Sequence, residues 1–381
     1  MTLTKAQLDS ERERRVGIFE KIMTDNSLDA LLLTSTSQQA YQLAVKFASG
    51  YQISTRRDIV FMKRGCIPNL VVPTVGQQFH AKRISWLPDE NIFSGNLINH
   101  AVKMIAGIGK ANPKIGTYEL NEMPLGMYKR LCSAGVEFVD ITRELTEARL
   151  SKSEIEVTLI REASRIAVES FEHVVRIIKP GMTEMELIGA AEGFLRKNGA
   201  EDSLVLTRSQ KPHTFIARAQ PVAVKKDGIF VYSAEVAGPY GYWTQLVRPI
   251  FMSRDTQPEA YAVLQAILEA EAAGVKKFTP GNKIKHVDIA INEVVAEHKY
   301  STGVWSGHGM GPDLGDGVDI GSENDMDIVP NMVLTLHPSV VGENDGLLYG
   351  NTWLSSSGEA ECLTGEYAGK CFIDELKDLV K

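Results

Sequence analysis

An α/β (α+β) chain in two domains is what this sequence predicts: a mixed α/β domain over residues 1–148, then a domain over 149–381 that combines an antiparallel sheet with two helix pairs. Three observations carry that expectation. Short apolar runs alternate with helix-spaced segments as far as residue 148, the pattern of a mixed sheet flanked by helices. The chain then changes character at Ser151–Ile178, one long amphipathic segment closed by Lys179-Pro180-Gly181, a strong helix terminator. Beyond it come two helix pairs, each ahead of strand-like runs, which suggests a structural duplication without a sequence repeat.

Taken in order, Leu3–Met23 has helical apolar spacing and many charges, so it predicts a surface helix. Asp29–Thr34 predicts a strand, and Gln38–Phe47 a helix. Ile59–Met62 and Asn69–Val72 predict buried strands, separated by the turn signals Gly65 and Pro68. Asn99–Ile108, Lys114–Tyr118, Leu125–Ser133 and Val136–Val139 continue the alternation. In the second domain Thr183-Glu-Met-Glu186 has the form of a capping box, in which hydroxyl and carboxylate satisfy free amides at a helix start. That helix runs to Gly199, a C-terminal cap. Pro258 opens a helix through Lys277, and another spans about Ile284–His298. Strands are expected over Ile229–Glu235, Tyr242–Phe251, Met332–Leu336 and Leu347–Leu354.

The bulk properties exclude several classes. The 381 residues are 44% hydrophobic and 23% charged, ordinary for a chain that buries a large core. A net charge of −7 argues against nucleic-acid or anionic-membrane partners, which reward a basic face. Cys66, Cys132, Cys362 and Cys371 are scattered, with no Cys-x-x-Cys pair, as free thiols of a reducing cytoplasm would be. Met1–Arg15 lacks the apolar stretch of a signal peptide, and no apolar run reaches the roughly 20 residues of a membrane span. A cytoplasmic protein is expected.

Several signatures then fall in one order: Lys152-Ser-Glu-Ile-Glu156 before a long helix, Lys179-Pro-Gly-Met-Thr-Glu184, Gly241-Tyr-Trp-Thr-Gln-Leu-Val-Arg248, Ser306-Gly-His-Gly-Met-Gly311, Val329-Pro-Asn-Met-Val-Leu-Thr-Leu-His-Pro338, and Asn351-Thr through Gly358–Thr364. Together they resemble the creatinase / Xaa-Pro aminopeptidase-prolidase (M24, "pita-bread") family over nearly the whole chain, with a creatinase-like N-terminal domain. The resemblance implies a hydrolase, a small-molecule or dipeptide-like substrate, and a homodimer.

That family holds two metal ions with two Asp, one His and two Glu, because adjacent cations need bridging carboxylates to offset their charge. By the resemblance these positions fall here on Ala234, Gln245, His308, His337 and the neighbourhood of Gly350. Only His308 is kept, so no metal or other cofactor is expected. Creatinase, in the same family, hydrolyses without metal, using a histidine upstream of the Gly-Tyr strand; the corresponding residue here is His213. A histidine suits that task because its pKa lies near working pH. His337, in place of a carboxylate, argues against a cationic guanidinium substrate. The catalytic candidates are therefore His213, His308 and His337.

Candidate substrate contacts are Arg56, Tyr242, Gln245 and Glu235. The resemblance implies that Arg56, beside Arg57, reaches a neighbouring subunit's site and holds a carboxylate, which a guanidinium matches with paired bonds. Glu235 follows the first Asp position by one residue, so strand alternation is expected to turn it away from the site unless a bulge intervenes. With a bulge, Glu235, His308 and His337 would suit one Zn or Fe ion. Glu343 and Asp345 are expected to be solvated. Tyr240, Tyr242, Trp243, Trp305, Tyr349 and Trp353 would either wall a dry pocket or simply fill strands. Three functions follow: a metal-independent hydrolase (or lyase) acting on a C–N or related bond of a small carboxylate-bearing substrate, an Xaa-Pro-type metallopeptidase with an unusual mononuclear metal site, or a non-catalytic binding protein on the same fold.

Overall fold

The computed structural model describes residues 2–35, 43–52, 56–254, 257–303, 305–342 and 346–381. Gln38–Gln42 of the expected second helix, and Glu343 and Asp345, lie outside the described residues. The chain divides into two units, Thr2–Arg149 and Leu150–Lys381.

The N-terminal unit runs α1 (Lys5–Asp25), β1 (Ala30–Thr34), α2 (Leu43–Ser49), β2 (Ile59–Lys63), β3 (Asn69–Val72), α3 (Val75–Ile84), β4 (Ile92–Ser94), α4 (Leu97–Ala106), β5 (Lys114–Thr117), α5 (Leu125–Cys132), β6 (Glu137–Asp140) and α6 (Thr142–Arg149). Its six strands form one sheet in the order β4-β3-β2-β1-β5-β6. The β1–β2 and β2–β3 pairs are antiparallel and the others parallel. Leu31, Leu33, Val60, Met62 and Val72 enter one apolar cluster, and Leu32, Ile59, Phe61 and Val71 another on the opposite face. Burial on both faces explains why these strands are near-continuous apolar runs rather than alternating ones. Gly116 of β5 is required by contact: a Cβ there would stand 2.6 Å from the Leu28 and Leu31 side chains.

The C-terminal unit begins with α7 (Glu154–Ile177), α8 (Glu184–Lys197), β7 (Asp202–Arg208), β8 (Ile229–Ala237) and β9 (Trp243–Phe251). Both helices start on full capping boxes, Ser153 with Glu156 and Thr183 with Glu186, so the Thr183 signature acts as its chemistry predicts. Next come α9 (Pro258–Lys277), α10 (Ile284–Glu297), β10 (Gly307–Met310), β11 (Leu314–Asp319), β12 (Val333–Leu336), β13 (Ser339–Val340), β14 (Leu347–Leu348), β15 (Asn351–Leu354), β16 (Glu361–Cys362) and α11 (Ile373–Leu379). Strands β7-β8-β9 form one antiparallel sheet and β11-β10-β12-β15-β16 a second, and the bridge Val247↔Gly350 joins β9 to β15.

Each sheet has its own helix pair. Phe230, Tyr232, Ala234, Val236, Leu246 and Ile250 pack into the cluster of α7 and α8. Leu334 and Leu336 pack into that of α9 and α10. In both sheets residues of opposite parity point the other way, onto what is called here the inner face.

The Lys152 signature has a structural role. Its ammonium lies 2.7 Å from the Asp316 carboxylate, each side chain only 2% exposed, and it also donates to the Leu150 carbonyl at 3.2 Å. Removing one partner strands the other as a buried charge. Lys152→Met is expected to lower stability by about 3–5 kcal/mol in urea denaturation. Lys152→Met with Asp316→Asn should recover most of that loss, since Asn tolerates the left-handed backbone at this position (φ 45°).

Candidate active site

Strand alternation builds the inner face. On β8 the polar residues Ser233 and Glu235 share one parity, while Tyr232, Ala234 and Val236 share the other. Glu235 pairs directly with Gln245 of β9 in an unbroken register. Gln245 Nε2 donates to Glu235 Oε1 at 3.1 Å. Alternation extends the row to Trp243 and Val247 on β9, and the Val247↔Gly350 bridge carries it to Gly350, just ahead of β15, and to Thr352 on β15. Thr352 pairs with Thr335, and Thr335 with His308. His337 lies two residues beyond Thr335, and its ring centroid is 5.2 Å from that of His308.

This overturns one expectation. Glu235 was expected to turn away from the site without a bulge. The register has no bulge here, and it is Ala234 that turns away, into the core against α7 and α8, leaving Glu235 beside Gln245. The signal was present in Ile229–Ala237, where every polar residue has the parity of Glu235.

Burial sets the electrostatics of this face. Glu235 is nearly enclosed, and desolvation pushes its carboxyl up to about 7. Desolvation, with the neighbouring His308, pushes His337 down to about 3. His308 is also lowered by burial, against its bond to the Gly309 carbonyl and the charge of Asp319. Both rings are therefore neutral imidazoles at pH 7. Five buried polar atoms here lack a hydrogen-bond partner: Ser233 Oγ, Glu235 Oε2, Trp243 Nε1, Gln245 Oε1 and His337 Nδ1. Each such atom costs about 1–3 kcal/mol when left dry, so a run of them on one face marks a surface built to meet a ligand or water.

The remaining candidates are placed elsewhere. His213 is buried where its backbone N–H donates to the Gly346 carbonyl at 3.0 Å, next to β14. Burial first, then the charges of Lys211 and Arg208, bring it down to about 4. Tyr242 gives its hydroxyl to Glu156 at the start of α7, at 3.0 Å. Arg56 is exposed in the N-terminal unit, while Arg57 donates to the carbonyls of Ser35 and Glu122. Of the aromatic residues, Trp305 is exposed, Tyr349 lies under Arg248, and Trp353 donates to Glu271. They form no common wall. Sequence reasoning missed Ser233 and Thr352. Thr352 Oγ1 accepts from the Gln245 N–H at 3.0 Å and donates to the Gln245 carbonyl at 2.8 Å, clasping β9 to β15.

A pair of divalent cations does not fit these residues. Ala234 faces the core, Gln245 is neutral, and Gly350 has no room for a carboxylate: a Cβ there would lie 2.7 Å from His337 Cβ. Glu235, His308 and His337 do not converge as a ligand set either, and among the described residues no group of three His, Cys, Asp or Glu side chains does.

The sheets, helix pairs and inner face define a peptidase-type pita-bread domain. Residues 158–361 match the profile of metallopeptidase family M24, more than half of the chain, and the chain belongs to that family. It is 26% identical over 238 residues to the uncharacterized peptidase YqhT of Bacillus subtilis (strain 168), covering 58% of this chain and 65% of that one. It is 24% identical over 351 residues to the Xaa-Pro dipeptidase of Pyrococcus horikoshii, covering 87% and 91%. The chain thus spans a little under two thirds of YqhT and 58% of the putative dipeptidase YkvY of Bacillus subtilis. Among solved structures, the X-Pro aminopeptidase of Thermotoga maritima MSB8 superposes with a TM-score of 0.81 at 23% identity, covering 94% of this chain and 99% of that one. The prolidase of Pyrococcus horikoshii OT3 does so at 0.78 and 21%, covering 92% and 97%. The expected α/β pita-bread fold is borne out by both.

A buried carboxyl raised from 4.5 to about 7 binds its proton more tightly folded than unfolded. Its contribution to stability is full below pH 4.5 and is lost as pH rises towards 7. Glu235→Gln is therefore expected to stabilise the protein by about 2–3 kcal/mol at pH 8, the gain shrinking towards zero near pH 4.5. Urea midpoints of both proteins at the two pH values test this, and the histidines, common to both, cancel.

Proposed function

We propose that the protein is a hydrolase that cleaves a C–N or related bond in a small carboxylate-bearing molecule without the family's metal pair. The observation that supports this is the inner face itself, with one carboxylate, two neutral imidazoles, one amide and a run of unpartnered polar atoms. Such a face has too little negative charge for two cations and the right groups for proton transfer.

Glu235 is proposed as the proton-transfer group, in preference to His213. A general acid–base works best with a pKa near the operating pH, and Glu235, at about 7, meets that condition, whereas His213, at about 4, is a weak base. The ionised carboxylate takes a proton from water as the water oxygen bonds to the substrate carbon. It returns that proton to the nitrogen as the C–N bond breaks, so one water is consumed and the carboxylate is restored. The N–H of His337, as a neutral donor, stabilises the charge that develops on the reacting group, while His308, whose Nδ1–H is given to the Gly309 carbonyl, presents its Nε2 lone pair as an acceptor that orients the water or the substrate N–H. Arg56 of a second copy is proposed to anchor the substrate carboxylate, which makes a homodimer the working unit.

Protein from metal-supplemented medium, never exposed to chelator, is expected to contain less than about a tenth of an equivalent of Mn, Fe, Co or Zn by elemental analysis. One or two equivalents would restore a metal mechanism. On a substrate found by screening small amides and amidines, Glu235→Gln and His308→Ala should each lower kcat by about 10²–10⁴. Activity should rise with pH through about 7, and Glu235→Gln should lose that limb. A large loss in His213→Ala with Glu235→Gln unaffected would return the role to His213. Arg56→Ala should raise KM at least tenfold with kcat kept.

A further inference from the structure

The reverse side of the wall that carries Gly350 and His337 holds a cavity of about 620 Å³, between α9 and the β15–β16 edge. That volume suits a small organic ligand. Leu268, Ala272 and Val275 of α9 line one side, and Ala360 and Ala368 the other. Glu271, Asn351 and Trp353 also line it, so its polar end is a carboxylate.

Glu271 is only 6% exposed. Its Oε1 accepts from Asn351 Nδ2 at 2.9 Å and from Trp353 Nε1 at 3.1 Å, and its Oε2 from Asn351 Nδ2 at 3.1 Å. Among the described residues no cation forms an ion pair with it. Arg248, close enough to be felt, gives its guanidinium N–H groups to the carbonyls of Val247, Gly350 and Thr364 and to Asn351 Oδ1. A buried carboxylate held only by neutral donors is under-compensated, and its pKa is raised accordingly, by burial above all. The charges at the mouth, exposed Lys276 and Glu359, oppose one another.

We propose that this cavity binds a compact apolar primary amine, its ammonium seated on Glu271 and its body against Leu268, Val275 and Ala360. An ammonium supplies the missing countercharge, and the apolar walls take the hydrocarbon. This site is independent of the proposed reaction.

The test is isothermal titration of the full chain with tryptamine and with its uncharged isostere 3-propylindole. Tryptamine is expected to saturate at one equivalent per chain and to bind at least tenfold more tightly than 3-propylindole. Glu271→Gln should abolish that difference. Ala272→Trp, at an exposed helix position that leaves the fold intact by circular dichroism, should fill the cavity and abolish binding of both. Failure of tryptamine to saturate by 10 mM (about the weakest affinity worth calling a site), equal affinity for the two probes, or binding undiminished in Ala272→Trp would each overturn the proposal.

Discussion

The joint between β9 and β15 is the constraint on which the rest of the C-terminal unit depends. Two sheets, each packed on its own helix pair, have their inner faces made continuous at that seam. It is held from within by Arg248, which is 1% exposed. Its guanidinium bonds to carbonyls on both sides of the seam, Val247 and Gly350, as well as to Thr364 and Asn351, and lies 4.7 Å over the Tyr349 ring. A planar group with five fixed donors can make that set of bonds, and an ammonium cannot. Alongside it runs a hydroxyl ladder from Ser164 of α7 to Thr244 of β9 and Thr352 of β15, at 2.8 and 3.1 Å. The ladder ties the seam to the helix behind β9, so the pairing of β9 with β15 is fixed from outside the site as well as within it.

That register decides what the inner face can hold. In a strand a shift of one residue exchanges the two faces, so whether Ala234 or Glu235 looks inward is a matter of register and not of composition. Here the unbulged pairing sends Ala234 to the core and keeps one carboxylate. On the other side of the seam His337 takes the space that a side chain at Gly350 would need. The substitutions are thus linked by packing: an acid introduced at 350 would have to displace the His337 backbone and Cβ, and one at 234 would be buried among Tyr232, Val236 and Leu246. The family's metal-binding set is not one mutation away at any of these positions.

Much of the fold was legible because periodicity and caps are local. The apolar runs of β1, β2 and β3 and the capping boxes of α7 and α8 state their structure within a few residues. The short edge elements were not, since Ile92–Ser94 and Glu361–Cys362 carry too few residues for a period to show. The site was legible in part. His308 and His337 come together as the motifs imply, but the direction of Glu235 was inferred from a family position instead of from the alternation of its own strand. His213 was chosen by its place in the sequence, which says nothing about burial, and burial is what removes its basicity. Thr352 could not be found at all from sequence, because its partner is the Gln245 backbone, 107 residues away.

The electrostatic result is a face with almost no fixed charge. Two imidazoles lowered by burial stay neutral, a lone carboxyl raised by burial is close to half-ionised at pH 7, and an amide stands where an acid would have been. Burial that would be prohibitive for a cluster of carboxylates without cations is tolerable for this set, because each member can shed its charge. On the proposed reading, the same burial tunes Glu235 to cycle a proton near neutrality. Stability and the proposed proton transfer are therefore in tension at a single residue: the ionised Glu235 that the proposal has accept a proton from water is also the state that the folded protein disfavours.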